Sequence, residues 1–155
     1  VESWQPAPLP EAAMDNARSI AARIVGALAS CGIFSVEMFV SGDDVYFSQV
    51  TPRPSRDGLV TFVTQRINQF DLQAHATQRL PIDSTLISPG AVRFLEGHPS
   101  QAALAAAMAV EEVTVRMLGD GTLVLATADS AAEARQRTDE AVREIHKIDG
   151  KPGEN

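Results

Sequence analysis

The sequence contains a single cysteine, Cys31, and no long apolar run. One cysteine cannot form a disulfide within the chain, which favours a reducing compartment such as the cytoplasm. Cys31 precedes Gly32 at the predicted end of a helix and has no histidine near it in sequence, so we expect a small packed thiol and not a nucleophile. Every apolar run is far shorter than the roughly 20 residues that span a bilayer, so no membrane partner is expected.

Basic residues are also scarce. The 155 residues include 13 Lys and Arg against 20 Asp and Glu, a net charge of −7. Nucleic-acid binding needs a cluster of cations to neutralise phosphates, so no nucleic-acid partner is expected. The three histidines lack the spacing of metal ligands, and no glycine-rich phosphate loop is present. With 45% hydrophobic and 21% charged residues, the composition is that of a globular protein.

The N-terminal segment lacks the features of a signal peptide. The run "VESWQPAPLPEAAMD" has no basic stretch followed by an apolar core, and three prolines in residues 1–10 predict an extended segment. The sequence does not begin with methionine. We therefore expect either a processed product or a piece of a longer protein.

Helical and strand-like patterns alternate along the rest of the chain, which predicts an α+β fold. Apolar residues at helical spacing predict a helix from Glu11 to about Ser30, ended by Gly32. Residues 58–80 are predicted to form one or two helices that end before Pro81, and residues 82–99 are expected to be rich in loops. Ser100 caps a further helix, "VTVRML" and "TLVLATA" form a hairpin around "GDG", and a last helix runs from Ser130 to about Lys147. A boundary near residue 85 would give two parts, 1–85 and 86–155.

A hairpin around "SGDD" carries the most informative polar side chains. Residues 33–40 and 45–51 are predicted strands, and a three-residue loop, 42–44, would pair Ser41 with Val45. In that register Glu37 lies opposite Gln49, and Phe39 lies opposite Phe47. One end of one face is then polar, whereas a slip of one residue would move Gln49 to the other face. The polar residues at that end are Ser35, Glu37, Gln49 and Thr51.

Glu37 stands in the apolar run "FSVEMFV" and is a candidate metal ligand. A carboxylate in such surroundings should be desolvated unless it has a partner, and an unpaired buried charge is costly. A divalent cation is one such partner, since Mg²⁺ takes one or two carboxylates together with substrate phosphates. Gln49 can add an amide oxygen but no charge. The alternatives are that Glu37 faces solvent at a sheet edge or pairs with Arg53.

Arg53 lies between two prolines in the loop that follows the hairpin. Both prolines fix φ, so less entropy is lost when the guanidinium is ordered, and a rigid fork suits a phosphate or a carboxylate. The alternative is an ordinary loop arginine that closes a salt bridge. Arg56, Asp57 and Gly58, which follow in the same loop, are typical of a simple turn.

These stretches together resemble a known family. "ESWQP", "GIFSVEMFVSGDDVYFSQVTPRP", "GLVT" and "LP" resemble the C-terminal part of formate-dependent phosphoribosylglycinamide formyltransferase, an ATP-grasp enzyme. The likeness is densest over residues 2–90, although "VRMLG" and "LVLATADSAAEARQR" still resemble the terminal lobe. It implies a transferase of purine biosynthesis, in which ATP phosphorylates formate and the amine of glycinamide ribonucleotide attacks the formyl carbon. It also implies the C-terminal half of an ATP-grasp domain, an antiparallel sheet with packed helices, followed by a small α/β lobe.

The resemblance implies roles for the candidate residues. Two strand glutamates of the family, twelve residues apart, hold Mg²⁺ on ATP; Glu37 matches the first, and Gln49 stands at the second. Arg53 would stabilise phosphate or acyl-phosphate charge. Arg56 occupies the position of the family's substrate-binding aspartate, with Asp57 displaced by one. In the family, a segment of the terminal hairpin contains a lysine and an arginine pair; in this chain the short turn 119–121 stands in its place.

Three functional hypotheses follow. The first is an ATP-binding part of a cytoplasmic formyltransferase that is inactive as an isolated fragment. The second is a non-catalytic, divergent interaction or oligomerisation module, and the third is a piece of a related ATP-grasp carboxylase or ligase. An incomplete lobe should expose apolar surface, so a homodimer or a larger assembly is expected.

Overall fold

The structure is a computed structural model that describes residues 1–150. It contains helices and two antiparallel sheets, as expected for an α+β chain. A 3₁₀ turn, Asp57–Val60, leads directly into the second helix. The strands are β1 (Glu2–Gln5), β2 (Ser35–Ser41), β3 (Asp44–Thr51), β4 (Gly90–Glu96), β5 (Val113–Met117) and β6 (Gly121–Thr127), and the helices are α1 (Glu11–Leu28), α2 (Thr61–Thr64), α3 (Gln69–Thr77), α4 (Gln101–Met108) and α5 (Ala131–Asp149).

The larger sheet has the strand order β1-β4-β6-β5, and β6 lies inside it. Residues 121–126 of β6 are all buried, and successive side chains point to opposite faces. Val124 and Ala126 pack with α4 and α5, whereas Leu123 and Leu125 pack with the residues around the 3₁₀ turn. The sheet is therefore covered on both faces, and it forms the main core of residues 1–150.

Two strands of this sheet were not predicted. Residues 82–99 were expected to be loop-rich, which is wrong for 90–96, because this segment is β4. Residues 1–10 were predicted to be extended, and residues 2–5 of this segment form β1, which pairs with β4, with Glu2 opposite Arg93. Strand β1 has only four residues, and the partners of both strands lie far away in sequence, so local patterns give little sign of either pairing. The division at residue 85 stays a prediction; β1, from its first part, is hydrogen-bonded to β4, from its second.

Charged side chains fasten β1 to α5. The Arg135 Nε donates to the Glu2 Oε1 at 2.9 Å, and the Arg135 guanidinium lies 3.9 Å from the ring centre of Trp4. The hydrogen bond from Arg135 holds the pKa of the Glu2 carboxyl below its ordinary value of 4.5. Arg93 contacts both Glu2 and Asp139 of α5. The N-terminal strand is thereby held by the C-terminal helix as well as by β4.

The predicted helices and the second hairpin are confirmed, with small differences at their ends. Helix α1 ends at Leu28 with Ala29 as its left-handed cap, at a φ of 47°, so the prediction that Gly32 ends the helix is wrong. Ser100 and Ser130 accept backbone hydrogen bonds at the starts of α4 and α5. Cys31 is exposed in the connector after α1, so the expectation of a packed thiol is wrong. None of the helices in residues 1–150 is both long and apolar enough to cross a membrane.

The smaller sheet is the hairpin of β2 and β3, and its register differs in part from the prediction. Ser41 pairs with Asp44 across a two-residue turn, and Phe39 pairs with Tyr46, so the three-residue loop and the Phe39–Phe47 pair are wrong. A β-bulge between Glu37 and Met38 then shifts the register by one residue. Beyond the bulge, Glu37 lies opposite Gln49 and Ser35 opposite Thr51, as predicted.

Candidate functional site

A cavity of about 460 Å³ lies at the open end of the β2–β3 hairpin, between the strands and the loop that follows them. Its lining comes from three pieces of chain: the start of β2, the end of β3 and the loop 53–57. All five residues singled out from the sequence line this one cavity: Glu37, Gln49, Arg53, Arg56 and Asp57.

Glu37 is held by two neutral donors from β3. Its Oε2 accepts from the Gln49 Nε2 at 2.9 Å, and its Oε1 accepts from the Ser48 Oγ at 2.8 Å. Sequence reasoning missed Ser48 because regular pairing would have placed it on the opposite face; the bulge sets Ser48 and Gln49 together opposite Glu37. The carboxylate is therefore oriented from both oxygens.

The expectation that Glu37 is desolvated is wrong, because its side chain is exposed in residues 1–150. No ion pair with Arg53 is found for it in the part of the chain that the structure describes. Of the alternatives, exposure at the sheet edge matches the structure. The smaller sheet has only two strands, and Glu37 stays exposed although the loop 53–57 lies across the cavity from it.

Arg53 follows β3 directly and has most of its donors free for a ligand. Its backbone N–H donates to the Thr51 carbonyl at 2.9 Å, which turns the chain sharply after the strand. Its Nη1 donates to the Pro54 carbonyl at 3.2 Å. A guanidinium has five N–H donors. The side chain is exposed, and four of its donors have no partner within residues 1–150.

Arg56 is held from the other side, by the larger sheet. Its Nη2 donates to the Asp120 Oδ2 at 3.1 Å, and its guanidinium lies 4.4 Å from the ring centre of Phe94. Asp120 belongs to the short turn between β5 and β6, which was predicted as a hairpin turn but not as a contact of the cavity. No local pattern could have connected residues 64 positions apart, so this contact was missed.

The cavity offers few side chains that could bind a magnesium ion. Within residues 1–150 no group of three His, Cys, Asp or Glu side chains could hold a metal. Glu37 offers one carboxylate, and Gln49 presents its amide nitrogen to that carboxylate, so its oxygen would face a shared cation only after the amide turns over. One carboxylate and one amide oxygen fit Mg²⁺ as the protein's share of a shell completed by phosphates and water.

Comparison with known proteins gives a consistent likeness. Residues 1–70 match the ATP-grasp domain family. The chain is 48% identical over 155 residues to the formate-dependent phosphoribosylglycinamide formyltransferase of Corynebacterium jeikeium, covering 91% of this chain and 38% of that protein. It is 40% identical to the protein of the same name from Rhodococcus jostii, covering 96% of this chain and 40% of the relative. The chain thus spans about two-fifths of the length of the curated relatives that it matches.

Solved structures show the same likeness. The structure of glycinamide-RNase-transformylase T from Mycobacterium tuberculosis matches with a TM-score of 0.88 and 45% identity, over 93% of this chain and 45% of that chain. N5-carboxyaminoimidazole ribonucleotide synthetase from Thermotoga maritima, at 24% identity and a TM-score of 0.83, shares the fold. The resemblance noted in the sequence is confirmed: over about nine-tenths of its length, this chain is similar to part of a formate-dependent phosphoribosylglycinamide formyltransferase, and it has the fold of ATP-grasp proteins.

Proposed function

We propose that this chain is the C-terminal portion of an ATP-grasp formyltransferase of purine biosynthesis. The substrates of the whole enzyme would be ATP, formate and glycinamide ribonucleotide, and its product formylglycinamide ribonucleotide. One observation carries the proposal: the residues that match the family's functional positions converge on a single cavity in a chain 48% identical to such a protein. The lone cysteine and the metabolic role favour the cytoplasm.

The residues have distinct parts in the proposed reaction. Glu37, oriented by Ser48 and Gln49, would hold Mg²⁺ at the ATP phosphates, and the ion would lower the repulsion between those phosphates and an incoming anion. Arg53, with its free donors, would stabilise negative charge on the transferred phosphoryl group or the acyl phosphate. Arg56 and Asp57, at the side of the cavity next to the larger sheet, would bind the substrate that receives the formyl group.

The 155-residue chain alone is not expected to turn over ATP. Its cavity is open, the two carboxylates that line it, Glu37 and Asp57, are exposed, and the chain spans 38% of the relative's length. Preorganised charges stabilise a transition state effectively only in a site that excludes water. The activity therefore belongs to a longer polypeptide that completes the cavity.

The test compares the 155-residue chain with the longest natural polypeptide that contains it. We expect ADP release that depends on both formate and glycinamide ribonucleotide from the longer polypeptide, and none from the shorter chain. Glu37→Gln should remove most of the turnover, whereas Glu140→Gln, at an exposed position of α5 outside the cavity, should not change it. Normal turnover by Glu37→Gln would contradict the proposal, and tight binding of magnesium-ATP by the 155-residue chain would contradict the expectation that this chain is incomplete on its own.

A second candidate function is a non-catalytic interaction or oligomerisation module. Gln49 favours it, because an amide supplies no charge at a metal site. The exposed aromatic side chains of the hairpin favour it too: Phe39, Tyr46 and Phe47 are 65%, 58% and 47% exposed. Gln49→Glu in the longer polypeptide separates the two functions. A gain in ATP turnover supports a working site, and unchanged background turnover supports the module.

The same aromatic side chains support self-association. Phe39 and Tyr46 are paired on one face of the hairpin, and Phe47 lines a groove beside α1 on the other face. Exposed apolar surface of this kind drives proteins to associate. We expect a homodimer or a larger assembly in sedimentation at micromolar concentration, and Phe39→Ser with Tyr46→Ser should shift it toward monomer. A clean monomer for the unaltered chain would contradict this expectation.

A further inference from the structure

Helix α3 places two glutamines, Gln69 and Gln73, one turn apart on the same face. Gln69 is 4% exposed, and its amide bonds to both backbone groups of Ser55: the Oε1 accepts from the Ser55 N–H at 3.1 Å, and the Nε2 donates to the Ser55 carbonyl at 2.8 Å. Gln73 accepts from the Ile33 N–H through its Oε1 at 2.7 Å. The two amides thus hold the backbone of two different segments.

Those two segments carry the candidate site. Ser55 stands in the loop with Arg53, Arg56 and Asp57, and Ile33 lies two residues before β2, which carries Glu37. The loop and the start of β2 are far apart in sequence, and α3 lies against both. Its glutamine face is therefore a shared support for the charged groups on the two sides of the cavity.

Each glutamine also lies against a glycine in the segment that it holds. A Cβ added at Gly58 would lie 2.1 Å from the Gln69 Oε1, and one at Gly32 would lie 3.1 Å from the Gln73 Oε1. Thr61 bridges the backbones of Gly58 and Gln69, because its Oγ1 accepts from the Gln69 N–H at 3.0 Å and donates to the Gly58 carbonyl at 2.7 Å. At Gly58 an added Cβ would collide with the Gln69 amide, whereas at Gly32 it would make a tight contact that the Gln73 amide could relieve by moving a few tenths of an ångström.

We propose that Gln69 and Gln73 are positioning residues: they set the arginine-bearing loop and the Glu37 strand at a fixed separation across the cavity. We call the hydrogen bonds from these two side chains to Ser55 and Ile33 the clamp. The role in catalysis rests on the proposed function, whereas the clamp itself does not. Neither glutamine lines the cavity that holds Glu37 and Arg53, so neither is expected to touch ATP. Each acts through the backbone of the segment that it holds.

Hydrogen exchange of the 155-residue chain tests the clamp. Methionine has nearly the volume of glutamine and lacks the amide, so Gln69→Met removes the hydrogen bonds and keeps the packing. We expect Gln69→Met to speed exchange at Ser55 by about fivefold or more and to leave Ile33 unchanged, because losing one net hydrogen bond corresponds to about that factor. Gln73→Met should have the opposite pattern. Gln101→Met, at an exposed position of α4, is the control.

Kinetics of the longer polypeptide test the positioning role. Displacing a charged group by about 1 Å can cost up to ~100-fold in rate, so Gln69→Met should lower kcat more than tenfold while KM for ATP changes little. Gln69→Glu should not rescue kcat, because a carboxylate cannot donate to the Ser55 carbonyl. A loss of stability alone would also lower the apparent kcat at unchanged KM, because it lowers the active fraction. The rate is therefore divided by the folded fraction measured by circular dichroism, and only a fall in kcat that remains after this division supports the positioning role.

The outcomes separate the two proposals. Unchanged exchange at Ser55 in Gln69→Met would refute the clamp, whatever the enzyme does. Faster exchange with unchanged kcat would refute the positioning role and keep the proposed function. If the unaltered longer polypeptide has no turnover, the proposed function and the catalytic role both fail, and exchange alone decides whether the clamp exists.

Discussion

Gly58→Ala is the substitution whose effect the structure defines most closely. The added methyl group would lie 2.1 Å from the Gln69 Oε1 and 2.7 Å from its Cδ, far inside contact distance. The φ of Gly58 is not in the left-handed region, so alanine suits its backbone and the whole cost comes from this contact. Gln69 is buried, so its side chain can give way only by leaving Ser55.

The magnitude follows from the bonds that must break. Gln69 makes two hydrogen bonds with Ser55, each worth about 1 kcal/mol net, so the free energy of unfolding should fall by about 2 kcal/mol. For a domain of this size, that is a fall in Tm of roughly 4–8 °C. Urea unfolding followed by circular dichroism measures it. Gly119→Ala, where an added Cβ meets nothing within 4 Å, is the matched control and should leave stability nearly unchanged.

A double mutant tests whether Gly58 and Gln69 interact. Gln69→Ala removes both the hydrogen bonds and the obstructing atoms, so adding Gly58→Ala to it should cost almost nothing more. The two single changes should therefore be strongly non-additive, as expected for residues in contact. If the double mutant loses the sum of the two single effects, Gly58 and Gln69 are not coupled, and the close approach drawn from the structure is wrong.

Three further changes probe the fold. The pKa of Glu2 is lowered in the folded chain, so its contribution to stability is present above about pH 4.5 and is lost as the pH falls through the lower folded value. In urea titrations, Glu2→Gln should flatten that part of the curve of stability against pH, and an unchanged slope would contradict this expectation. Gly26→Ala, at an exposed position inside α1 with open space around it, should raise the free energy of unfolding by up to about 1 kcal/mol, and a decrease would contradict that expectation. Leu123→Ala, at a fully buried position of β6, should lower it by about 2–5 kcal/mol, and a loss below 1 kcal/mol in thermal unfolding would show that the site is not close-packed.

Local patterns in the sequence predicted the elements that depend on local physics. Apolar residues at helical spacing predicted α1, and serines at the starts of α4 and α5 predicted those helices. Both serines do accept backbone hydrogen bonds. The polar end of the first hairpin was read from alternation of side chains along two strands. In each of these cases the interacting residues lie within a few positions of one another or across one tight turn.

Contacts between distant residues could not be predicted in the same way. Strand β4 is defined by its pairing with β1 and β6, which lie about 90 and 30 residues away along the sequence, and its own residues contain an arginine that contacts Glu2. Asp120 reaches Arg56 only because the larger sheet brings its turn beside the cavity loop. The residues that hold the candidate site in place were therefore harder to find than those that line it.

The hairpin shows how a correctly predicted pair of residues, Glu37 and Gln49, can depend on two errors that compensate. With the observed two-residue turn and no bulge, Glu37 would oppose Ser48, and Gln49 would point to the other face. The prediction instead assumed a turn one residue longer, which restores the Glu37–Gln49 pair without a bulge. The real chain adds its extra residue at the bulge, inside the site. Because of that placement, one carboxylate receives donors from two consecutive residues of β3, which regular pairing in either register would not allow.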